Sequence, residues 1–265
     1  MLQCCIIYEF IHVLKYKLNN EIRIIVISMN INFKPYSYDI TKAYERMNKN
    51  LSIKPVEIDN ILAVIQDNNV DISNGKYDGT VVYINLSFIE QPSVQDNSLF
   101  AAYHTCHEEL LSIFSDNPDF VDFVGDNDYF YAIFRTSLRP QIDSVIETVG
   151  KINSVLSLLN TEFFPEINVT LNYRIGVDFN ELFVFKDIME SDNNTFYSRN
   201  WFGKALHCAK KMAKLEGREE ANIIVSNKIF KNLKEEYQKF FNAFDGYYTS
   251  NIVNAKISNW IKSKR

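Results

Sequence analysis

Cysteine is scarce and unpatterned: the four present in 265 residues, Cys4, Cys5, Cys106 and Cys208, form no Cys-x-x-Cys pair. That excludes a disulfide framework and fits a reducing, cytoplasmic setting. A basic surplus is also missing. The net charge is -5, with 28 Lys and Arg against 33 Asp and Glu, the wrong balance for a protein that works by phosphate contacts to nucleic acid. No run approaches the roughly 20 apolar residues that span a bilayer. The apolar stretches at 6–14 and 22–27 are cut by Glu9, His12 and Arg23, and they lack the clean core and small-residue cleavage site of a signal peptide. Repeats and low-complexity tracts are absent. What remains is enough chain to bury a full core as one domain with decorations. Met29 opens a more ordinary polar start. The expected organisation is an upstream extension at 1–28, a helical segment at 29–69 and the main domain at 70–262.

Along the chain, 36–66 shows helix-like spacing (Ala43, Met47, Leu51, then Ile58, Ile61, Leu62, Ile65) interrupted by Pro55, which predicts two short helices. A turn-rich approach over 71–79 leads into a strand at 80–88. Asn97 or Ser98 caps a helix reaching Phe114, with Leu99, Tyr103, Leu110 and Phe114 on one stripe. His104 and His107 sit three apart on it beside Glu108. With no Cys or further His following nearby, they read as helix surface rather than as a zinc site. A hairpin over 119–134 is followed by a helix over 141–160. A second hairpin spans 168–186, turning at Phe179 and Asn180, and a polar flexible loop covers 187–200. A helix over 201–215, a strand over 222–225, a helix from Ser226 to Tyr237 and one or two strands within 246–261 complete the chain. Helices interleave with an antiparallel-rich sheet, so the class is α+β with a ferredoxin-like core.

Two stretches carry chemistry. Gly125-Asp126-Asn127-Asp128 separates the strands of the first hairpin, a tight-turn composition because these residues tolerate positive φ and bond their own backbone. A carboxylate at such a tip stands at the open end of a sheet, where it can hold a cation; the same residues also serve a turn for backbone reasons alone. The other stretch, Val81-Val-Tyr-Ile-Asn-Leu86, carries one polar side chain, Asn85, in an apolar run. Asn85 is the residue to bring beside Asp128.

In order and in residues, the chain over roughly 70–260 resembles a class III nucleotidyl cyclase catalytic domain, and more narrowly the pyrimidine cyclases of the bacterial Pycsar anti-phage system. The resemblance rests on Val81–Leu86, Asn127–Phe134, Ile142–Ser154, Ile175-Gly-Val-Asp178, Trp201–Ala209 and Ile224–Asn227. It implies that a nucleoside triphosphate turns its 3′-hydroxyl on its own α-phosphate and releases pyrophosphate. Two divalent ions, Mn²⁺ or Mg²⁺, would assist, clamped about 3.5–4 Å apart by hard oxygen ligands. Carried over, the metal ligands are the side chains of Asn85 and Asp128 and the carbonyl of Leu86, with Asp126 replacing Asp128 in a shifted alignment. The resemblance further implies Trp201 and Gly203 beside the substrate, and Lys204, His207 and Lys211 as catalytic groups on the triphosphate, which a solvated helix face would equally explain. Tyr83 points the same way as Asn85 along its strand, as the floor of a base pocket or as a core tyrosine. It implies UTP or CTP as substrate and a homodimer in which one subunit gives the metal ligands and the other the residues after Trp201. The cyclic nucleotide would switch on a separately encoded effector.

Several positions depart from that pattern. Asn85 keeps the shape of Asp without its charge, which weakens attraction for a dication. Asn127 stands for Gly at the turn, Lys204 for Asp, His207 for the Asn that orients the ribose, and Lys211 for an arginine whose bidentate fork is lost. The family's purine-selecting lysine is not evident. Lys204, His207 and Lys211 nevertheless share one helix face at spacings of three and four, behind a helix N-terminus that itself attracts phosphate. Two readings follow: an active cyclase of altered design, or a pseudocyclase that kept fold and dimer, lost its metals, and binds a nucleotide or a partner. A third, a ferredoxin-like RNA-binding domain, needs a basic sheet face that the acidic balance denies.

Overall fold

The computed structural model of the chain describes residues 56–57, 75–90, 96–191, 194–215 and 221–264. The expected extension at 1–28 and most of the expected helices within 36–66 lie outside these residues; of the latter stretch only a strand fragment, β1 (Val56–Glu57), is described.

The central strand is β2 (Gly75–Glu90), longer at both ends than the expected 80–88. Its side chains alternate between two apolar clusters, as strand geometry demands. Val82, Ile84 and Leu86 enter one, and Tyr77, Val81 and Tyr83 the other. Burial on both faces explains why this stretch is nearly continuously apolar. Helix α1 (Asp96–Ser115) follows, burying Ala102, Cys106, Leu110 and Phe114 at helical spacing. Next come β3 (Phe120–Asp126) and β4 (Tyr129–Arg135), the expected hairpin. Helix α2 (Arg139–Leu158) opens with the Gln141 side chain accepting the Leu138 amide at 2.8 Å. It ends in short π and 3₁₀ turns before β5 (Val169–Ser191).

The order β3-β4-β2-β5 is that of a ferredoxin-like core, with α1 and α2 as its two crossovers, and β7, β9 and β8 extend the sheet beyond β5. These last strands are β7 (Ile223–Val225), β8 (Asn242–Phe244) and β9 (Tyr247–Ser250). The α+β class and the ferredoxin-like centre are as expected. No helix among the described residues is long and apolar enough to cross a membrane.

Three expectations are corrected. The second hairpin does not turn at Phe179 and Asn180: β5 stays extended because β2 pairs with it continuously, from Gly75 with Val184 to Glu90 with Val169. The polar stretch expected as a loop is instead backbone-paired. Beyond β2, β5 continues to Ser191 against β6 (Asn194–Gly203), a two-stranded ribbon held by ladder hydrogen bonds that apolar periodicity does not register. The C-terminal stretch holds one strand, β9, and then helix α6 (Ala255–Lys264), whose cap is Asn254, with its side chain accepting the Ile257 amide at 3.1 Å.

The helix expected from Ser226 to Tyr237 divides into α4 (Asn227–Asn232) and α5 (Glu235–Gln238). Between them the Lys234 amide donates to the buried Asp143 carboxylate on α2 at 3.1 Å, which holds that residue in extended backbone.

Among the described residues, helix α3 (Lys204–Ala213) is the one helix on the face opposite α1 and α2, burying Ala205, Ala209, Met212 and Ala213. Small residues let it sit close to the sheet. A Cβ on Gly176 of β5 would overlap the Ala209 carbonyl oxygen and lie 2.8 Å from the Ala213 nitrogen. Glycine is required there for approach, and that contact fixes where the helix runs.

Candidate functional site

The β3–β4 hairpin turns through Asn127 and Asp128. Asp126 uses Oδ1 to accept the Asn127 amide at 2.8 Å, the local bond that makes Asp a turn residue. The neighbouring strand end comes alongside: Asn85 is in register with Tyr129 on one side and with Arg174 of β5 on the other. The Leu86 amide donates to the Asp128 carbonyl at 2.9 Å. In an extended strand an amide and its own carbonyl point to the same side, so the Leu86 carbonyl also faces the turn.

Asn85, Leu86, Asn127, Asp128, Tyr103 and Lys214 line an open cavity of about 620 Å³ at this end of the sheet. Of the two candidate carboxylates, Asp128 lines it; Asp126 stands beside it in the turn. Amide oxygen, backbone carbonyl and carboxylate make an all-oxygen donor set, which suits a single hard cation. Among the described residues no cluster of three or more His, Cys, Asp or Glu is placed to hold a metal. His107 instead contacts Glu108 at 3.5 Å and packs against the rings of Phe123 and Phe130, in line with its reading as helix surface.

The other site residues lie elsewhere. Lys204, His207 and Lys211 are exposed on the outward face of α3, and within one chain the structure does not bring them to the cavity of Asn85 and Asp128. Gly203 precedes the helix at φ 134, and a Cβ there would lie 2.7 Å from the Glu181 carbonyl oxygen. Backbone conformation accounts for that glycine.

Tyr83 and Trp201, expected beside the substrate, are both buried within one chain. Tyr83 is 1% exposed, beneath Tyr129 with ring centroids 5.3 Å apart in a stacked pair. Its hydroxyl is buried with no hydrogen-bond partner among the described residues. Burial first, then the neighbouring Tyr129, Asp128 and Asp126, raises its pKa well above the ordinary tyrosine value. Trp201 is 6% exposed and donates its indole N–H to Asp122 at 2.7 Å. The ring stacked on Tyr83, that of the half-buried Tyr129, is the one nearer solvent.

Sequence reasoning missed the lysines at the far end of α3. The Lys210 ammonium lies 5.8 Å from the centroid of the Tyr129 ring, within cation–π range, and Lys214 lines the cavity. Their four-residue spacing puts them on one helix face, a signal readable from sequence. Arg174 donates to the Leu215 carbonyl just past the helix C-cap, holding that end against β5. Below α3, Asp178 on β5 is 2% exposed. Its carboxyl is pushed above the ordinary value by burial, against the opposing pull of Ser226, the Phe179 amide, Asn180 and Lys228.

No family model matches the chain, and no curated protein matches it. Solved structures do. A class III adenylyl cyclase-like ATP-binding protein from Pseudomonas aeruginosa aligns with TM-score 0.62 at 12% identity, over 84% of this chain and 49% of that one, so the likeness spans about half its length. A guanylyl cyclase aligns with TM-score 0.51 at 10% identity, over 69% of this chain and 96% of that one. A bacterial light-regulated adenylyl cyclase aligns with TM-score 0.51 at 14% identity, over 84% and 66%. The chain therefore has the α+β fold of class III cyclase domains.

Proposed function

We propose that this chain is a nucleotide cyclase that converts UTP, or CTP, to its 3′,5′-cyclic monophosphate and pyrophosphate. The ribose 3′-oxygen forms a bond to the α-phosphorus as the bond from that phosphorus to the bridging oxygen of the leaving pyrophosphate breaks. The hydroxyl proton passes to solvent. The observation that carries this reading is the seating of Asp128 beside Asn85 and Leu86 in one cavity, on a fold that class III cyclases share. A bound divalent ion, Mn²⁺ or Mg²⁺, would activate the attacking oxygen and steady the leaving group. Asp128, the Leu86 carbonyl and Asn85 would hold it. Lys204, His207 and Lys211 would meet the triphosphate from a second copy of the chain in a homodimer, which agrees with their separation from the cavity within one chain. The pyrimidine substrate and an anti-phage role, with a separate effector reading the cyclic product, follow from the Pycsar resemblance. Incubation with each of ATP, GTP, CTP and UTP and Mn²⁺ tests the reading: cyclic UMP or cyclic CMP with equimolar pyrophosphate is expected. No cyclic product from any of the four overturns it.

A second reading, a pseudocyclase that binds nucleotide without turning it over, is favoured by the neutral Asn85 and by the likeness to a protein described as cyclase-like and ATP-binding. Saturable nucleotide binding with no cyclic product in the same incubation selects it.

A further inference from the structure

The two-ion clamp implied by the cyclase resemblance does not fit the residues around Asn85. Two dications about 3.5–4 Å apart repel four times as strongly as two single charges would. A pair of acidic ligands offsets that repulsion in a two-ion site. Among the described residues that line the cavity there is one carboxylate, Asp128, with a neutral amide at Asn85 and a backbone carbonyl at Leu86.

A lysine, Lys214, also lines the cavity. The close contact of Gly176 with Ala209 and Ala213 sets the path of α3 over β5. The Arg174 bond to the Leu215 carbonyl holds the helix end at the level of Asn85, with which Arg174 is in register. Lys210 then lies over Tyr129, and Lys214 lies on the cavity wall with Asn85 and Asp128. An ammonium is a compact charge with three donors, suited to meeting several phosphate oxygens.

We propose that this cavity meets a triphosphate with one divalent ion, held by Asp128, the Leu86 carbonyl and the Asn85 amide oxygen, and with the Lys214 ammonium in place of a second ion. The inference rests on the nucleotide-binding reading above, and it gives Asn85 a reason. A carboxylate at position 85 would pair with Lys214 and draw its charge away from the phosphates. An amide leaves that charge available, offers its oxygen to the ion and can donate to phosphate through its nitrogen.

The test counts ions rather than turnover. The protein is titrated with Mn²⁺ and the 3′-deoxy forms of ATP, GTP, CTP and UTP, which lack the attacking hydroxyl. Bound Mn²⁺ is counted from the loss of the free-ion electron paramagnetic resonance signal, and nucleotide affinity by calorimetry. The wild type is expected to take one Mn²⁺ per bound nucleotide. Lys214→Ala should weaken nucleotide binding about tenfold, while Lys256→Ala, the same charge change on α6, should leave it unchanged. Asn85→Asp with Lys214→Ala should take two Mn²⁺ per nucleotide. Two Mn²⁺ per nucleotide in the wild type, or wild-type affinity in Lys214→Ala, overturns the inference while the nucleotide reading stands. No binding of any of the four by the wild type overturns both.

Discussion

The Leu86 amide donates a 2.9 Å hydrogen bond to the Asp128 carbonyl, continuing the β2–β4 ladder beyond the pairing of Asn85 with Tyr129. Through that bond the tip of the β3–β4 hairpin is tied to the end of the central strand. A loop carboxylate is thereby held beside Asn85, on an element that both apolar clusters of the core keep in place.

Asp128 and Asp126 should behave differently although two residues apart. Asp128→Ala should reduce cyclic-nucleotide formation about 100-fold or more, since charge stabilisation by a held ion is worth several kcal/mol. Asp126→Ala removes the bond to the Asn127 amide and should cost about 0.5–1.5 kcal/mol of stability with activity largely kept. Initial rates and thermal melts of the two variants distinguish these outcomes.

Asn85→Asp should strengthen Mn²⁺ binding. Each unit-charge pair near 4 Å is worth about 1 kcal/mol even in bulk water, so a new carboxylate facing a dication favours about 30-fold tighter binding before Lys214 competes for it. The gain should be larger in a Lys214→Ala background, as Mn²⁺ titration of single and double variants reads directly.

Gly176→Ala should loosen α3. The added methyl overlaps the Ala209 carbonyl, which is helix backbone with little room to move. Overpacking of this kind costs about 1–3 kcal/mol, and each kcal/mol lowers Tm by about 2–4 °C in a domain of this size. Nucleotide affinity should fall with it, because Lys214 and Lys211 ride on that helix. Differential scanning calorimetry with nucleotide titration checks both.

Asp178 gives a pH dependence of definite sign. Burial raises its folded pKa above the unfolded value of 3.8. A carboxyl that holds its proton more tightly when folded contributes stability that is fully present below the unfolded value and is lost as pH rises through the folded one. Asp178→Asn, with no proton to lose, should therefore gain stability relative to wild type between acidic and neutral pH. Thermal melts of both proteins as pH rises from about 4 should show the difference growing with pH. A constant difference contradicts the assignment.

The ferredoxin-like centre was legible because its strands are buried on both faces or bounded by turn residues. Val81–Leu86 and Gly125–Asp128 announce themselves by composition. The β5–β6 ribbon was not, since its cohesion is backbone pairing and Phe179-Asn180 resembles a turn until β2 is known to run alongside. The division of the helix after Ser226 depends on Asp143, nearly a hundred residues away in sequence. The candidate site divides the same way. Asn85 and Asp128 could be brought together from the hairpin alone, whereas Lys214 reaches them only through the contact of Gly176 with α3, and the burial of Tyr83 and Trp201 is decided by packing across strands.

The most direct measurement of the central claim is anomalous diffraction from crystals grown with Mn²⁺ and a 3′-deoxy pyrimidine triphosphate. The account predicts an anomalous peak at about 2.0–2.6 Å from an Asp128 carboxylate oxygen, with the triphosphate in the same cavity and Lys214 against it. Ion and nucleotide bound together at a place away from Asn85 and Asp128 would contradict it.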